Sequence, residues 1–189
     1  MFFSPGIHRA INIAAWFHKD QRRKSNDLPY IVHPFSVFLI LSKYTKDEDT
    51  LCASLLHDVL EDTEGYSLEQ MVVDFNENVG NLVKTVSEKK GYFRESDLTW
   101  KELKEGYLSN IKEACENALL ISAADKIHNI TTKLDKFEKN TDIWSGSEVS
   151  VEEKFWFYEE LLKIFKEKLK GHEIVKEYES LLAKLRGIS

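Results

Sequence analysis

Long apolar runs are missing from this chain of 189 residues. No stretch of roughly 18 apolar residues stands free of charge, so no membrane-spanning helix is expected. The opening Met1-Phe2-Phe3-Ser4-Pro5-Gly6 carries neither a basic region nor a cleavage site, so no secretory signal is expected either. Cysteine is scarce. The two residues, Cys52 and Cys115, are not spaced as metal pairs, and both fall in helical patterns. They are expected to be reduced core residues of a cytoplasmic protein. Three prolines, eight glycines and no low-complexity tract leave little room for a disordered segment or a long linker. Alternating strand patterns are absent, which points to an all-α chain. Excess positive charge is absent too: 26 Lys and Arg stand against 32 Asp and Glu, for a net charge of −6. That excludes general binding of a nucleic-acid polymer, though local clusters can still receive a small anion.

What is present suits one globular domain, expected over residues 1–189, burying roughly 70% of its unfolded surface. Ser4-Pro5 reads as the cap of an amphipathic helix from Ile7 to His18. The helix runs into Lys19-Asp20-Gln21-Arg22-Arg23-Lys24, a basic cluster that as a mere helix end would complement the macrodipole. Ser25-Asn26-Asp27-Leu28-Pro29 is turn chemistry. Pro34 suits a first helical position, with His33 at the cap just outside and a buried helix from Phe35 to Tyr44. Asp47-Glu48-Asp49 places acids at the start of the next helix. Ser67 to Phe75, Val79 to Val86 and Trp100 to Ala114 read as helices, with the polar segment between residues 88 and 100 as a loop. A loop from Asn140 to Ser150 precedes amphipathic helices over Val151 to Lys170 and Glu173 to Leu185.

The stretch from Leu51 to Asp62 carries the chemistry. Leu51, Leu55, Leu56 and Val59 recur at helical steps and mark a buried face. Beside that face stand His57 and Asp58, then Glu61 and Asp62, a concentration of ionisable groups that is costly unless something binds it. On one helix, His57 and Glu61 share an edge, and so do Asp58 and Asp62. One pair can hold a cation while the next carboxylates face a substrate. A His-Asp dipeptide arises about 0.35 times by chance in such a composition, so it needs support from the rest of the chain. Support comes from His33 and from Asp125, a carboxylate at a burial position of another apolar helix, with Asn129 one turn further. His33, His57, Asp58 and Asp125 form an N₂O₂ set from three helices, suited to a divalent ion such as Mn²⁺ or Fe²⁺.

The segments PYIVHP, LLHDVLEDT and SAADKIHNI, in this order and spacing, resemble the HD-domain metal phosphohydrolases. More narrowly they resemble the RelA/SpoT-type (p)ppGpp hydrolase domain in its stand-alone form, the small alarmone hydrolases. The resemblance covers roughly residues 7 to 165 and includes QRRKSNDLPYIVHP. It implies an all-α HD-domain helical bundle of about 8–10 helices that binds one Mn²⁺ and removes the 3′-pyrophosphate of (p)ppGpp. By position it makes His33, His57, Asp58 and Asp125 the metal ligands and puts Glu61 and Asp62 beside the attacking water. Arg23 and Lys24 fall at its nucleotide-binding basic pair, Ser25 at a nucleotide contact, and Asn129 at the residue holding the nucleotide near the metal. The partner it implies is a small phosphorylated nucleotide, with no membrane, and no second catalytic domain is expected at this length.

Two departures bear on the substrate. Thr131 stands where the family usually has arginine. The segment between residues 88 and 100 is longer than in animal-type members, with Lys89 and Lys90 as candidate phosphate ligands. These leave another phosphorylated nucleotide open as substrate, either an adenosine alarmone or the 2′-phosphate of NADPH, and they leave open a non-catalytic nucleotide sensor. Trp156, Phe157 and Tyr158 suit either a nucleotide contact or the last core face.

Overall fold

A computed structural model describes residues 3–23, 27–88, 99–144 and 149–188. The regular elements of the described residues are helices, with an isolated bridge between Arg22 and Pro29 and no strand. None of the described helices is long and apolar enough to cross a membrane. Two compact units are present, Met1–Ser96 and Asp97–Ser189.

The first unit is built from α1 (Pro5–Phe17), α2 (Val32–Leu41), α3 (Glu48–Leu56), α4 (Val59–Asp62), α5 (Leu68–Asp74) and α6 (Glu77–Val86). Its starts are set by local chemistry. Ser4 caps α1 by accepting from the Ile7 N–H, with Pro5 in the first turn, and Asp47, Ser67 and Asn76 cap α3, α5 and α6 in the same way. Helix α3 is buried from Thr50 to Leu56, and α1, α2 and α6 pack around it. A helix apolar on every side belongs at a core's centre. Helices α5 and α6 approach at Gly80, where an added Cβ would lie 2.9 Å from Val72 Cγ2. Leu55 is fully buried on α3. Leu55→Ala is expected to lower stability by about 2–5 kcal/mol, read as a lower urea midpoint at unchanged slope.

The second unit comprises α7 (Trp100–Lys112), α8 (Glu116–Glu138), α9 (Val151–Lys168) and α10 (Glu173–Gly187). Capping boxes open α7 at Thr99 and Glu102 and α9 at Ser150 and Glu153. Helix α8 is buried continuously from Ala118 to Ile127 and is this unit's axis, with α7, α9 and α10 against it.

Three expectations change. Helix α2 begins at Val32, so His33 is in its first turn rather than at the cap, and Pro34 is its third residue. That costs no hydrogen bond, because N–H groups of a first turn have no intrahelical acceptor. The stretch Leu51 to Asp62 is two helices, broken by a turn at His57 and Asp58. His57 Nδ1 lies 2.8 Å from the Ser54 carbonyl, which a continuous helix would give to the Asp58 N–H. Cys115 is exposed rather than in the core, because it stands at the N-cap of α8, outside the helix, whereas Cys52 is buried; both are free thiols.

Candidate active site

Helix α2 and the turn after α3 bring His33, His57 and Asp58 together in the first unit. Their ligand atoms all lie within 4.8 Å of one another. His33 Nε2 and His57 Nε2 are 3.3 Å apart, and Asp58 Oδ2 lies 3.4 Å from the former and 3.3 Å from the latter. Both imidazoles are buried. A carbonyl can only accept, so the contact with Ser54 puts a proton on His57 Nδ1 and leaves Nε2 facing Asp58. Lone pairs facing a carboxylate oxygen repel unless a positive charge stands between them. The donor set therefore fits a divalent ion, in the arrangement where a metal-binding histidine gives its other N–H to a backbone carbonyl.

The acids of α4 take different partners. Asp62 Oδ2 accepts from the Tyr30 hydroxyl at 3.0 Å, and the same hydroxyl reaches Asp58 Oδ2 at 2.6 Å. Glu61 Oε2 accepts the Glu88 N–H at 2.8 Å. The expected Asp58–Asp62 pairing is thus present, while the turn at His57 gives Glu61 a contact of its own. Burial, then the two carboxylates, push the Tyr30 phenol far above its ordinary pKa, so it stays protonated and donates. Arg23 stands over the Tyr30 ring, its guanidinium carbon 5.4 Å from the centroid. Lys24 and Ser25 lie outside the described residues, as do Lys89 and Lys90.

Asp125 is buried on α8 in the second unit. Its Oδ1 accepts from Asn129 Nδ2 at 2.7 Å, and its Oδ2 pairs with Lys126 Nζ at 2.6 Å. Asn129 and Lys126 also line a cavity of about 200 Å³ with Lys104, Lys133, Lys154, Trp100, Phe157 and Tyr158. The ammonium groups sit on aromatic faces: Lys104 is 4.9 Å from the Phe157 centroid, Lys126 is 5.0 Å from Tyr107, and Lys133 is 4.6 Å from Trp144. Burial lowers the pKa of Lys154 and pushes the Tyr158 phenol up to about 12. Four lysines around one small cavity suit a phosphate-bearing ligand. Phe157 and Tyr158 are buried, as the core-face reading of that stretch expects, and they also line this cavity. The lysine set was not read from the sequence. Part of its signal was there, since Lys126, Asn129 and Lys133 recur at steps of three and four and so share a helix face.

The family model described as HD domain matches residues 10–144. This chain belongs to the HD domain family, which implies a divalent metal. Within that class it is 35% identical over 160 residues to the Xenopus tropicalis protein named guanosine-3′,5′-bis(diphosphate) 3′-pyrophosphohydrolase MESH1, with 83% of each chain covered. It is also 39% identical over 138 residues to the GTP pyrophosphokinase of Streptomyces coelicolor, matching 70% of this chain and 16% of that protein. The chain spans less than a fifth of the first curated relatives it matches, 16% of the Mycobacterium leprae protein and 19% of the Borreliella burgdorferi protein. One solved structure, described as a metazoan ortholog of SpoT that hydrolyzes ppGpp and plays a role in starvation responses, superposes with a TM-score of 0.77 at 27% identity, covering 100% of this chain and 99% of that one. The crystal structure of lmo0812 from Listeria monocytogenes gives a TM-score of 0.69 at 25% identity, over 83% of this chain and 95% of that one.

Proposed function

We propose that this chain is a Mn²⁺-dependent hydrolase that removes the 3′-pyrophosphate of (p)ppGpp, with residues 1–189 working as one HD-type domain. The observation that carries the proposal is the convergence of His33, His57 and Asp58 with Asp62 tied to the same centre through Tyr30. The relatives named as (p)ppGpp 3′-pyrophosphohydrolases support the substrate. The HD match from residue 10 to 144, which runs through parts of both units, supports reading them as one domain. Asp125 is proposed as the fourth ligand on the strength of its motif.

His33, His57, Asp58 and Asp125 would hold a divalent ion, which would supply the positive charge that polarises a phosphoryl oxygen and acidifies a water. The chain's own residues do the rest. Asp62 takes the proton from the water, which forms a new bond to the phosphorus attached to O3′. The P–O3′ bond breaks and O3′ takes a proton from solvent, to which Asp62 later releases its own, leaving a 3′-hydroxyl nucleotide and pyrophosphate. Arg23, Lys24 and Ser25 hold the nucleotide, Arg23 with a planar face suited to stacking on a base, and Asn129 is proposed, on its motif, to hold the nucleotide near the metal.

A second reading, hydrolysis of an adenosine alarmone or of the 2′-phosphate of NADPH, is favoured by Thr131. Its hydroxyl bonds the Ile127 carbonyl at 2.8 Å and supplies none of the charge that arginine supplies in the family. Product analysis of a nucleotide panel with Mn²⁺-loaded protein separates the readings. Pyrophosphate from ppGpp is expected. Inorganic phosphate from NADPH would establish the second reading, and binding without turnover would establish a sensor.

Arg23 should act on substrate with the metal untouched. Losing a charge-assisted contact of about 1.5–3 kcal/mol predicts that Arg23→Ala raises KM roughly 10–100-fold. Arg23→Lys should recover part of that loss if charge matters and none if stacking does. A wild-type KM in Arg23→Ala would reduce the basic cluster to a solvated helix end.

A further inference from the structure

The proposed metal centre leaves Tyr30 without an assigned task, and its surroundings give it one. Its hydroxyl has a single proton and stands 2.6 Å from Asp58 Oδ2 and 3.0 Å from Asp62 Oδ2. The first oxygen also faces both imidazole nitrogens, and the second belongs to the acid beside the reaction. One phenol therefore touches a metal ligand and the proposed proton acceptor at once. The ring is held from several sides. His18 lies against it with centroids 4.8 Å apart, His33 meets it edge-on at 5.8 Å, and its backbone N–H bonds the Gln21 carbonyl at 2.9 Å.

The same connection grips Asp62 a second time. Gln21 Nε2 donates to the Asp62 carbonyl at 2.6 Å, while Gln21 Oε1 is 2.7 Å from His18 Nδ1. Helix α4 is four residues long and ends at Asp62, so this carbonyl has no acceptor role within the helix. Asp62 is thus held by its backbone through Gln21 and by its side chain through Tyr30.

We propose that Tyr30 is a positioning residue whose hydroxyl sets the Asp58 carboxylate for the metal and fixes the Asp62 carboxylate at a set distance from it. The proposal rests on the metal-centre reading above. A carboxylate oxygen has two lone pairs, so Asp58 Oδ2 can serve a cation with one and accept from Tyr30 with the other. Outer hydrogen bonds of this kind orient metal ligands, and their loss typically weakens metal affinity or activity by about 10–100-fold. Without the hydroxyl, the two anionic oxygens lose the donor they share.

Tyr30→Phe in the full chain tests this, because it keeps the ring and its packing. With Co²⁺ as probe and no nucleotide present, we expect the dissociation constant to rise about tenfold or more and the visible absorption bands to shift, while the thermal midpoint of the metal-free protein stays near that of the parent. In turnover of ppGpp, kcat should fall about 10–100-fold with KM nearly constant. At saturating metal, adding Tyr30→Phe to Asp62→Asn should lower kcat little further than Asp62→Asn alone, while the loss of Co²⁺ affinity through Asp58 persists. Unchanged Co²⁺ affinity and spectrum would overturn the proposal. So would kcat losses that multiply in the double variant at saturating metal, or a metal-free midpoint that falls in step with affinity, the mark of a packing residue. A parent protein inert toward ppGpp would overturn the substrate reading alone, since the Co²⁺ measurements involve no nucleotide.

Discussion

His57→Ala and Asp58→Ala should each leave the purified protein without bound divalent metal and without turnover. Each removes one of three donors whose atoms converge within 4.8 Å in a buried site. Loss of an outer partner alone costs about 10–100-fold in affinity, and loss of a direct ligand should exceed that. The two variants differ in what they leave behind. His57→Ala removes the imidazole nitrogen 3.3 Å from Asp58 Oδ2 and leaves that carboxylate with Tyr30 and His33. Asp58→Ala removes an anionic donor of this cluster, and with it charge that attracts a dication. Asp58→Ala is therefore expected to be the more severe for metal, and both equally severe for activity. Elemental analysis after gel filtration, beside pyrophosphate release, reads both quantities. Full metal content in either variant would strike that residue from the ligand set.

Asp62→Asn and Glu61→Gln should separate, although the two acids are neighbours in sequence. Asp62 shares the Tyr30 hydroxyl with Asp58, so its carboxylate belongs to the metal-side cluster. An amide keeps its shape but cannot take a proton, and kcat should fall roughly 10²–10⁴-fold with metal content and nucleotide affinity retained. Glu61 instead accepts the Glu88 N–H at 2.8 Å. The carbonyl oxygen of glutamine can accept that bond equally well, so Glu61→Gln should stay within about 1 kcal/mol of the parent in stability and keep most of its turnover. Single-turnover rates on metal-loaded variants decide the matter. If both run at the parent rate, neither acid moves the proton. If Glu61→Gln is the slower, the assignment of the proton acceptor reverses.

Much of this molecule was legible before its structure. Ser4 reads as a cap, and the helices expected from Ser67, Trp100 and Val151 start where Ser67, Thr99 and Ser150 each accept a backbone N–H. His33, His57 and Asp58 could be picked out because polar ligands beside apolar helical positions are costly without a partner. What remained hidden depends on contacts distant in sequence. Tyr30 reads as an ordinary half-buried aromatic, and its partners lie 28 and 32 residues away. The turn at His57 depends on a side chain competing for a backbone carbonyl, which periodicity does not register. Lys104 and Lys154 join Lys126 and Lys133 only through packing of α7 and α9 with α8.

The connection from α1 to α2 bears on which changes in chain length the protein can absorb. Loops ordinarily accept insertions and deletions because their backbone is tied to little else. Here Arg23 N–H bonds the Leu28 carbonyl at 2.8 Å, Tyr30 N–H returns to Gln21, and Arg22 pairs with Pro29, closing a small ring of backbone. Gln21 and Tyr30 leave that ring from opposite sides to grip the backbone and the side chain of Asp62. One residue gained or lost between them would shift one grip relative to the other. Among homologous chains, this connection should therefore keep its length, a constraint imposed by the acid it holds rather than by the helices it joins.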